Sequence, residues 1–320
     1  MERTMRTFSA VAEKRDECNR RARIGIPRAS PARAAARALI ARLAQRCLKR
    51  YQAVGLAGIG ATFALAAAGV HADSIKIGGT GTGLGAMKLM AQEFNKSRSD
   101  AQLIITPSLG STGAIRAVLA GGVDIGISAR PVSPEEKHQG ASSRAYARTP
   151  FVIATGAKNK GAGLTLPELV EIYSGKVTRW PDGSLIRLVV RPAADADTIA
   201  MRAFSAEMDG AITAALARKG LRMADTDQDN ADALEQLPGS LGTTTLTQIV
   251  TESRALRPLA LDGVTPTLQS LTAGRYRYFK TLHLVTARDP SPLAKDFVAF
   301  IRSPAGQAVL ARSGNLALQE

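Results

Sequence analysis

Cysteine is nearly absent from the chain. The 320 residues contain Cys18 and Cys47, and no cysteine follows position 47. A disulfide framework, a thiolate metal site and a cysteine nucleophile are therefore excluded from the remainder. Histidine is scarce as well. His71, His138 and His283 have no partner at the spacing of zinc ligands, so the sequence predicts no metal site.

A complete calcium loop is also missing, although the acidic residues resemble part of one. Asp225, Asp227 and Asp229 alternate as the ligands of such a loop do. Asn230 replaces the glycine of the sixth position, however, and Gln236 replaces the glutamate of the twelfth. The loop would lack its sharp turn and its bidentate ligand. We interpret Asp229 instead as the cap of a following helix.

Long hydrophobic runs are confined to one place. Lys49 and Arg50 precede an apolar segment, 54–70, that is rich in alanine, leucine and glycine and is soon followed by Ala72. This order of charged, apolar and small residues is typical of an export signal, and we predict cleavage after Ala72. An uncleaved membrane anchor is the alternative. The segment has 17 residues, four of them glycine. It is therefore shorter and less apolar than a membrane span, which needs about 20 apolar residues.

Acidic residues are scarce in the same leader, 1–72. The chain has 42 Lys and Arg against 27 Asp and Glu, and the leader holds 14 of the basic residues and four of the acidic ones. The remainder has 28 Lys and Arg against 23 Asp and Glu, a net charge of +5. This small excess does not indicate a nucleic-acid partner. The basic aromatic segment RYRYFK (275–280) could bind single-stranded nucleic acid, but we interpret it as strand surface. We expect residues 1–48 either to precede the true start of translation or to form a long unstructured leader.

From residue 74 onward, short apolar runs alternate with helical patterns, which predicts an α/β fold. The length has room for two domains, and the absence of a low-complexity linker suggests short crossing strands between them. Strands are predicted at 75–79, 103–107, 123–129, 151–155, 185–190, 240–245, 256–261 and 281–286. Helices are predicted at 84–95, 114–120, 166–174, 198–204, 211–219, 229–237, 267–273 and 292–302, with a short last helix within 303–314.

Two glycine-rich turns follow the first two predicted strands. GTGLGA (81–86) matches a dinucleotide-binding pattern, but no acidic residue ends the second strand to meet a ribose hydroxyl. A nucleotide-triphosphate loop is excluded too, because Gly175 and Lys176 are followed by Val177. The sequence therefore predicts no cofactor and no enzyme.

The same turns, GTGTGLG (79–85) and LGSTGAI (109–115), can hold a bare anion. Helix starts carry unsatisfied N–H donors and a partial positive charge. In a parallel sheet both turns lie at the same edge and can converge. The alternative is that the glycines only permit tight turns and that Thr82 and Ser111 only cap helices.

Seven segments, in this order and spacing, resemble the periplasmic phosphate-binding proteins of ABC importers. They are GTGTGLG, GSTGAI, VDIGISARPV, LTLPELVEIYSGKVTRW, IRLVVRP, LPGSLGTTTL and FVAFIRSPAGQAVLARSGNL. The similarity covers most of residues 75–318, and its most specific piece contains Trp180, the single tryptophan. The resemblance implies an α/β fold of two lobes, each a sheet flanked by helices, that close on a ligand. One lobe would comprise 75–155 and 246–320, and the other 156–245.

The resemblance also implies a set of ligand-binding residues. By position these are Thr82, Gly83, Leu84, Ser111, Thr112, Gly113, Ser128, Arg130, Arg191 and Thr198. The pattern departs where Ala129 replaces an aspartate and where Pro192 takes the usual place of the arginine. Asp195 and Asp197 intrude as well. They either face away from the ligand and cap the helix near Thr198, or indicate a ligand other than plain phosphate.

The two arginines have alternative roles. Arg130 and Arg191 could donate bidentate hydrogen bonds to an oxyanion. They could equally form surface ion pairs with Asp124 or Asp195.

The resulting prediction is an exported, periplasmic and monomeric solute-binding protein. It would capture a small oxyanion, phosphate first, for the membrane permease of an ABC importer. One alternative is a binder of another small anion or carboxylate that serves a sensor. The other is an enzyme that uses the glycine loop for a cofactor.

Overall fold

The computed structural model describes residues 73–159 and 163–318. The predicted export signal and residues 1–48 lie outside the described residues. Within the part that is described, no helix has the length and apolar character needed to cross a membrane.

Strands and helices alternate along the described chain, as the sequence predicts. The strands are β1 (Ser74–Gly79), β2 (Gln102–Ser108), β3 (Ile125–Ser128), β4 (Ala141–Gly156), β5 (Arg187–Val190), β6 (Arg222–Met223), β7 (Ser240–Thr245), β8 (Leu256–Pro258), β9 (Phe279–Ala287) and β10 (Leu316–Ala317). The helices are α1 (Gly81–Phe94), α2 (Gly110–Leu119), α3 (Pro134–His138), α4 (Leu166–Ser174), α5 (Ala196–Arg202), α6 (Ala206–Ala217), α7 (Asp227–Gln236), α8 (Leu246–Thr251), α9 (Leu268–Thr272), α10 (Pro292–Arg302) and α11 (Pro304–Arg312).

The strands form one continuous ladder in the order β2-β1-β3-β9-β4-β7-β5-β6. At one end β1 is parallel to β2 and β3, and at the other β5 is parallel to β6 and β7. We call these ends, with the helices that pack on them, the first and the second lobe. The turns that follow parallel strands lie at one edge of each sheet, which is where α/β proteins bind ligands.

Strand β4 joins the two lobes. Residues 141–150 pair with β9 in the first lobe, whereas residues 151–156 pair with β7 and β8 in the second. The prediction of short crossing strands is wrong here, because β4 is 16 residues long. Its first half, ASSRAYARTP, carries few apolar residues, so hydrophobicity indicates only the buried second half.

Each lobe has its own hydrophobic cluster. The first includes Met87, Ile125 and Phe297, and the second includes Trp180 and Met208. The second cluster also takes in Leu259, Leu261, Tyr276 and Tyr278, which lie beyond residue 246. The predicted division of the chain between the lobes stays a prediction, and this packing assigns part of the C-terminal segment to the second lobe.

The most specific motif of the sequence builds the second lobe's core. Thr165 and Glu168 form a capping box at the start of α4, and Gly175 ends that helix with a left-handed φ of 85°. The indole of Trp180 is buried and donates a hydrogen bond to the Gly239 carbonyl at 3.1 Å. The segment LPELVEIYSGKVTRW therefore supports the fold and does not touch the site described next.

Candidate functional site

A cavity of about 170 Å³ lies between the lobes. The first lobe contributes residues after β1 and β2, and the second contributes residues after β5 and β6. The lining residues are Thr80, Ser108, Leu109, Gly110, Ser111, Arg191, Asp195, Ala196, Asp197, Asp225, Thr226 and Asp227. The two glycine-rich turns therefore meet at one crevice, as a parallel sheet requires.

The start of α1 is already occupied by a carboxylate. Oδ2 of Asp227 accepts a hydrogen bond from the Thr80 hydroxyl at 2.9 Å and another from the Thr82 amide at 2.9 Å. The Thr82 N–H, which the sequence led us to expect free, is thus engaged by a side chain from α7 in the second lobe.

Asp227 is buried and held from several sides. It is the first residue of α7, and Oδ1 lies 3.6 Å from Nη2 of Arg191. The side-chain amide of Gln248 donates a hydrogen bond to the backbone carbonyl of Asp227 at 3.0 Å. In the sequence Asp227 stands out only as part of an incomplete calcium loop, although its place at a helix start after a short strand is the signal that could have revealed this role.

The interpretation of Asp229 as a helix cap is wrong. Thr226 caps α7, and its hydroxyl accepts the amide of Asp229 at 3.0 Å. Both residue types are good caps. Helix α7 begins at Asp227, two residues before its predicted start, so Thr226 takes the role.

The second turn contributes Ser111 to the cavity. Its hydroxyl accepts the Ala129 amide at 2.9 Å and thereby links α2 to the end of β3. The Ser128 hydroxyl donates to the Arg130 carbonyl at 2.6 Å. Ser128 therefore shapes the turn after β3 and is not among the residues that line the cavity.

Arg130 lies away from the cavity and holds the start of α3. Its guanidinium forms a fork on Glu136, with distances of 2.8 and 2.7 Å, and reaches the Thr112 hydroxyl at 3.4 Å. The hydrogen bonds from Arg130 lower the pKa of Glu136 to about 2. Asp124, the other partner considered for an arginine, accepts the Lys76 amide at 2.7 Å.

Arg191 lines the cavity, but Asp195 uses much of its hydrogen-bonding capacity. The guanidinium donates to both oxygens of Asp195, at 3.3 and 2.7 Å, and to the Ala224 carbonyl at 2.8 Å. The expected pair with Asp195 is thus present. It is buried and not at the surface, because the side chain of Arg191 is 4% exposed.

The two intruding aspartates each have a cationic partner. Asp195 caps α5 by accepting the Asp197 amide at 2.9 Å, as the first alternative from the sequence has it, but both aspartates line the cavity and do not face away from it. Asp197 accepts hydrogen bonds from the Lys280 ammonium and from the Thr243 hydroxyl. Burial tends to raise the pKa of Asp197, but Lys280 and Arg191 bring it below its ordinary value. For Asp195, burial and the neighbouring Asp197 raise the pKa.

Of the predicted site residues, Ser111 and Arg191 line the cavity. Thr82 and Thr198 do not line the cavity but contact residues that do. The Thr82 amide donates to Asp227, and the Thr198 hydroxyl donates to the Arg191 carbonyl at 3.1 Å. Gly83 donates its amide to the Thr80 carbonyl, and Leu84 packs in the first cluster. Thr112, Gly113, Ser128 and Arg130 are also outside the lining.

Comparison with known proteins places this two-lobe arrangement in a family. Residues 66–305 match the family described as PBP superfamily domain. The chain belongs to the PBP superfamily. This superfamily is that of the periplasmic substrate-binding proteins, which bind ligands and catalyse no reaction.

Relatives within the PBP superfamily are distant. The chain is 25% identical to phosphate-binding protein PstS of Bacillus subtilis over 226 residues, which span 67% of this chain and 70% of that protein. Among solved structures, a phosphate ABC transporter substrate-binding protein with bound phosphate from Clostridium perfringens has 21% identity and a TM-score of 0.66. That match covers 77% of this chain and 100% of the other.

A second solved structure shows that the fold alone does not define the ligand. The periplasmic molybdate-binding protein of Azotobacter vinelandii has 17% identity and a TM-score of 0.54, with 77% of this chain and 100% of that one covered. Within residues 73–159 and 163–318, no group of histidine, cysteine or acidic side chains is arranged to hold a metal ion.

Proposed function

We propose that the chain is an exported solute-binding protein that captures a small oxyanion, phosphate first, and delivers it to the permease of an ABC importer. One observation carries the proposal. Two helix starts of the first lobe and the guanidinium of Arg191 from the second meet at a single cavity of about 170 Å³. Backbone donors at helix starts and a buried arginine are the groups that recognise oxyanions.

The size and position of the cavity suit a small ion clamped by two lobes. Thr80, Gly110 and Ser111 face it from one lobe and Arg191 from the other. A ligand that bonds to both sides favours the closed arrangement by the difference between its affinities for the closed and the open forms. Capture and release then require movement of the lobes and no chemical step.

The carboxylates of the cavity wall bear on which oxyanion is selected. Asp195 and Asp197 are paired with Arg191 and Lys280, so their charge is largely offset. A carboxylate accepts hydrogen bonds and donates none when ionised. Phosphate keeps an O–H group near neutral pH and can donate to such an acceptor, whereas sulfate has none. We therefore expect phosphate to bind more tightly than sulfate.

The relatives support the same ligand class. The similarity to phosphate-binding protein PstS extends over two thirds of the chain, and the structure from Clostridium perfringens has phosphate bound. The molybdate-binding protein of the same fold makes molybdate the main competing ligand to test.

A thermal-unfolding panel with phosphate, sulfate, molybdate and small carboxylates tests the proposal. A ligand present at about a hundred times its dissociation constant stabilises the folded protein by about 2.7 kcal/mol. We expect the largest shift with phosphate. A shift confined to a carboxylate would replace phosphate by the alternative ligand class, and the absence of any shift would overturn the proposal.

Export is tested on the same preparation. The chain, expressed with its full leader, should be recovered from the periplasm with a new N-terminus at Asp73, as N-terminal sequencing would show. If the protein is instead recovered in the membrane fraction with residues 49–72 still attached, the result supports the uncleaved membrane anchor.

A further inference from the structure

The contact between Asp227 and the start of α1 bears on how tightly the cavity binds an oxyanion. We infer that Asp227 is a tethered competitor of the ligand: its carboxylate occupies an anion site, and an oxyanion binds by displacing it. This inference rests on the proposed function, since it assigns to the predicted ligand the donors that Asp227 now uses. We call these donors the α1 anion site, defined as the Thr80 hydroxyl, the Thr82 amide and the Arg191 guanidinium.

The contacts of Asp227 are those of a bound anion. Oδ2 accepts the Thr80 hydroxyl and the Thr82 amide, both at 2.9 Å, and Oδ1 lies 3.6 Å from Nη2 of Arg191. The side chain of Asp227 is 8% exposed and that of Arg191 is 4% exposed. The carboxylate also lies in the first turn of its own helix, so two helix starts stabilise its charge.

Two anions cannot share this site. A phosphate oxygen that accepts the Thr82 amide must lie within a few ångströms of where Oδ2 now lies. Like charges at such a separation repel strongly where water is excluded. The ligand therefore displaces the carboxylate, or it binds the cavity without using the start of α1.

The surrounding residues are arranged to let α7 reach α1. A Cβ atom at Gly81 would lie 2.7 Å from Cβ of Asp227 and 2.5 Å from Oε1 of Gln228. Glycine at position 81 is thus what permits the approach. On the other side, Gln248 donates to the Asp227 carbonyl at 3.0 Å and holds the backbone in place.

The contact also joins the lobes. α1 packs in the first cluster through Leu84 and Met87, whereas α7 packs through Ala231 and Leu234 against Val189 of β5. Asp227 therefore links α7 of the second lobe to the start of α1 in the first. The affinity of the native chain for an oxyanion is lowered by the free energy needed to break this contact.

The opposite role for Asp227 gives the opposite result. If the carboxylate stayed in place and accepted a hydrogen bond from the phosphate O–H, its removal would weaken phosphate binding and favour sulfate. If it competes, its removal tightens the binding of both anions. The sign of the change therefore decides between the two roles.

The experiment is calorimetric titration of phosphate and of sulfate into the native chain, Asp227→Asn and Asp227→Ala. Asp229→Asn is the matched control, because it removes the same charge from the same helix turn at an exposed position. A hydrogen bond to a charged group is worth about 1.5–3 kcal/mol, so we expect both Asp227 variants to bind each anion about tenfold more tightly or better. Asp229→Asn should change either constant by less than about twofold, since exposed charges contribute little.

Amide hydrogen exchange supplies a readout that needs no ligand. The Thr82 amide should exchange faster in Asp227→Ala than in the native chain, while Asp229→Asn leaves it unchanged. Cooperative thermal unfolding of each variant confirms that it is folded, and Asp227→Asn preserves the shape of the side chain. An unchanged Thr82 exchange rate in Asp227→Ala would overturn the inference.

The outcomes separate the inference from the proposed function. Tighter binding by the Asp227 variants supports the inference. If the variants bind phosphate and the native chain does not, the inference is still supported, but the proposed capture of phosphate by the native chain is overturned. Native binding of phosphate that stays the same or weakens in both variants overturns the inference and leaves the proposed function intact. Absence of binding in all variants overturns both.

Discussion

Lys280 and Asp197 form a buried ion pair that ties β9 to the start of α5. Their side chains are 3% and 4% exposed, and the Thr243 hydroxyl donates to the same carboxylate at 2.9 Å. Lys280 pairs with Thr149 of β4, next to the point where β4 passes from the first lobe to the second. The pair thus connects the cavity wall to the strand that joins the lobes.

Removing the lysine should destabilise the protein strongly. Lys280→Met leaves the Asp197 carboxylate buried without its ammonium partner, and the loss of one member of a buried pair costs about 3–5 kcal/mol. Urea unfolding would measure the change in the free energy of unfolding. Lys295→Met is the control, because Lys295 pairs with Asp289 at the surface and should change stability little. Equal effects of the two substitutions would contradict the structural role of the pair.

Gly81→Ala should separate α1 from α7. The new Cβ would clash with Asp227 and Gln228, and overpacking of this kind costs about 1–3 kcal/mol. Gly210→Ala is the control, since a Cβ at position 210 in α6 meets nothing within 4 Å. Alanine is the better helix former, so the control should gain about 0.5–1 kcal/mol. Thermal unfolding of both variants checks the opposite signs.

Ser111→Asp should abolish the stabilisation by phosphate while leaving the protein folded. The new carboxylate can still accept the Ala129 amide, as the serine does, but it adds a negative charge to the cavity wall. Ser111→Asn, of similar size and uncharged, should retain part of the shift. A full phosphate shift in Ser111→Asp, measured by thermal unfolding, would place the ligand elsewhere.

Glu136 should make the stability depend on pH in acid. Hydrogen bonds from Arg130 lower its pKa from 4.5 to about 2 in the folded protein. A carboxylate with a depressed pKa stabilises the folded state above its unfolded pKa, and that contribution is lost as the pH falls through the folded value. The native chain should therefore lose stability between pH 4.5 and about 2 more steeply than Glu136→Gln.

Urea unfolding across this pH range makes the comparison. Glu168→Gln is the matched control, because Glu168 occupies the same capping-box position in α4. Among the ion pairs described within residues 73–159 and 163–318 none involves Glu168, so this substitution removes a capping-box carboxylate without removing an arginine partner. Identical slopes for the native chain and Glu136→Gln would show that the pair with Arg130 does not stabilise the fold.

Most helices and strands could be predicted from local pattern. Helix α10 begins at Pro292 and ends at Arg302, as its apolar spacing predicts, and α4 likewise has the predicted bounds. Helix α8, Leu246–Thr251, was missed because a six-residue helix is too short for a periodic signal. The first half of β4 was missed because its polar residues are ordered by pairing with β9, a contact between distant segments.

The candidate site divides in the same way. The sequence by itself determined that two helix starts follow adjacent parallel strands, because strand-to-helix turns are a local property of the chain. The second of these turns brings Ser111 to the cavity. Only the tertiary structure decided that Asp227, 145 residues from Thr82, fills the first of these starts. It also decided that Arg191 faces the cavity while Arg130 turns to Glu136. Backbone donors are fixed by short-range geometry, whereas the partner of a buried charge depends on which distant segments the folded chain brings together.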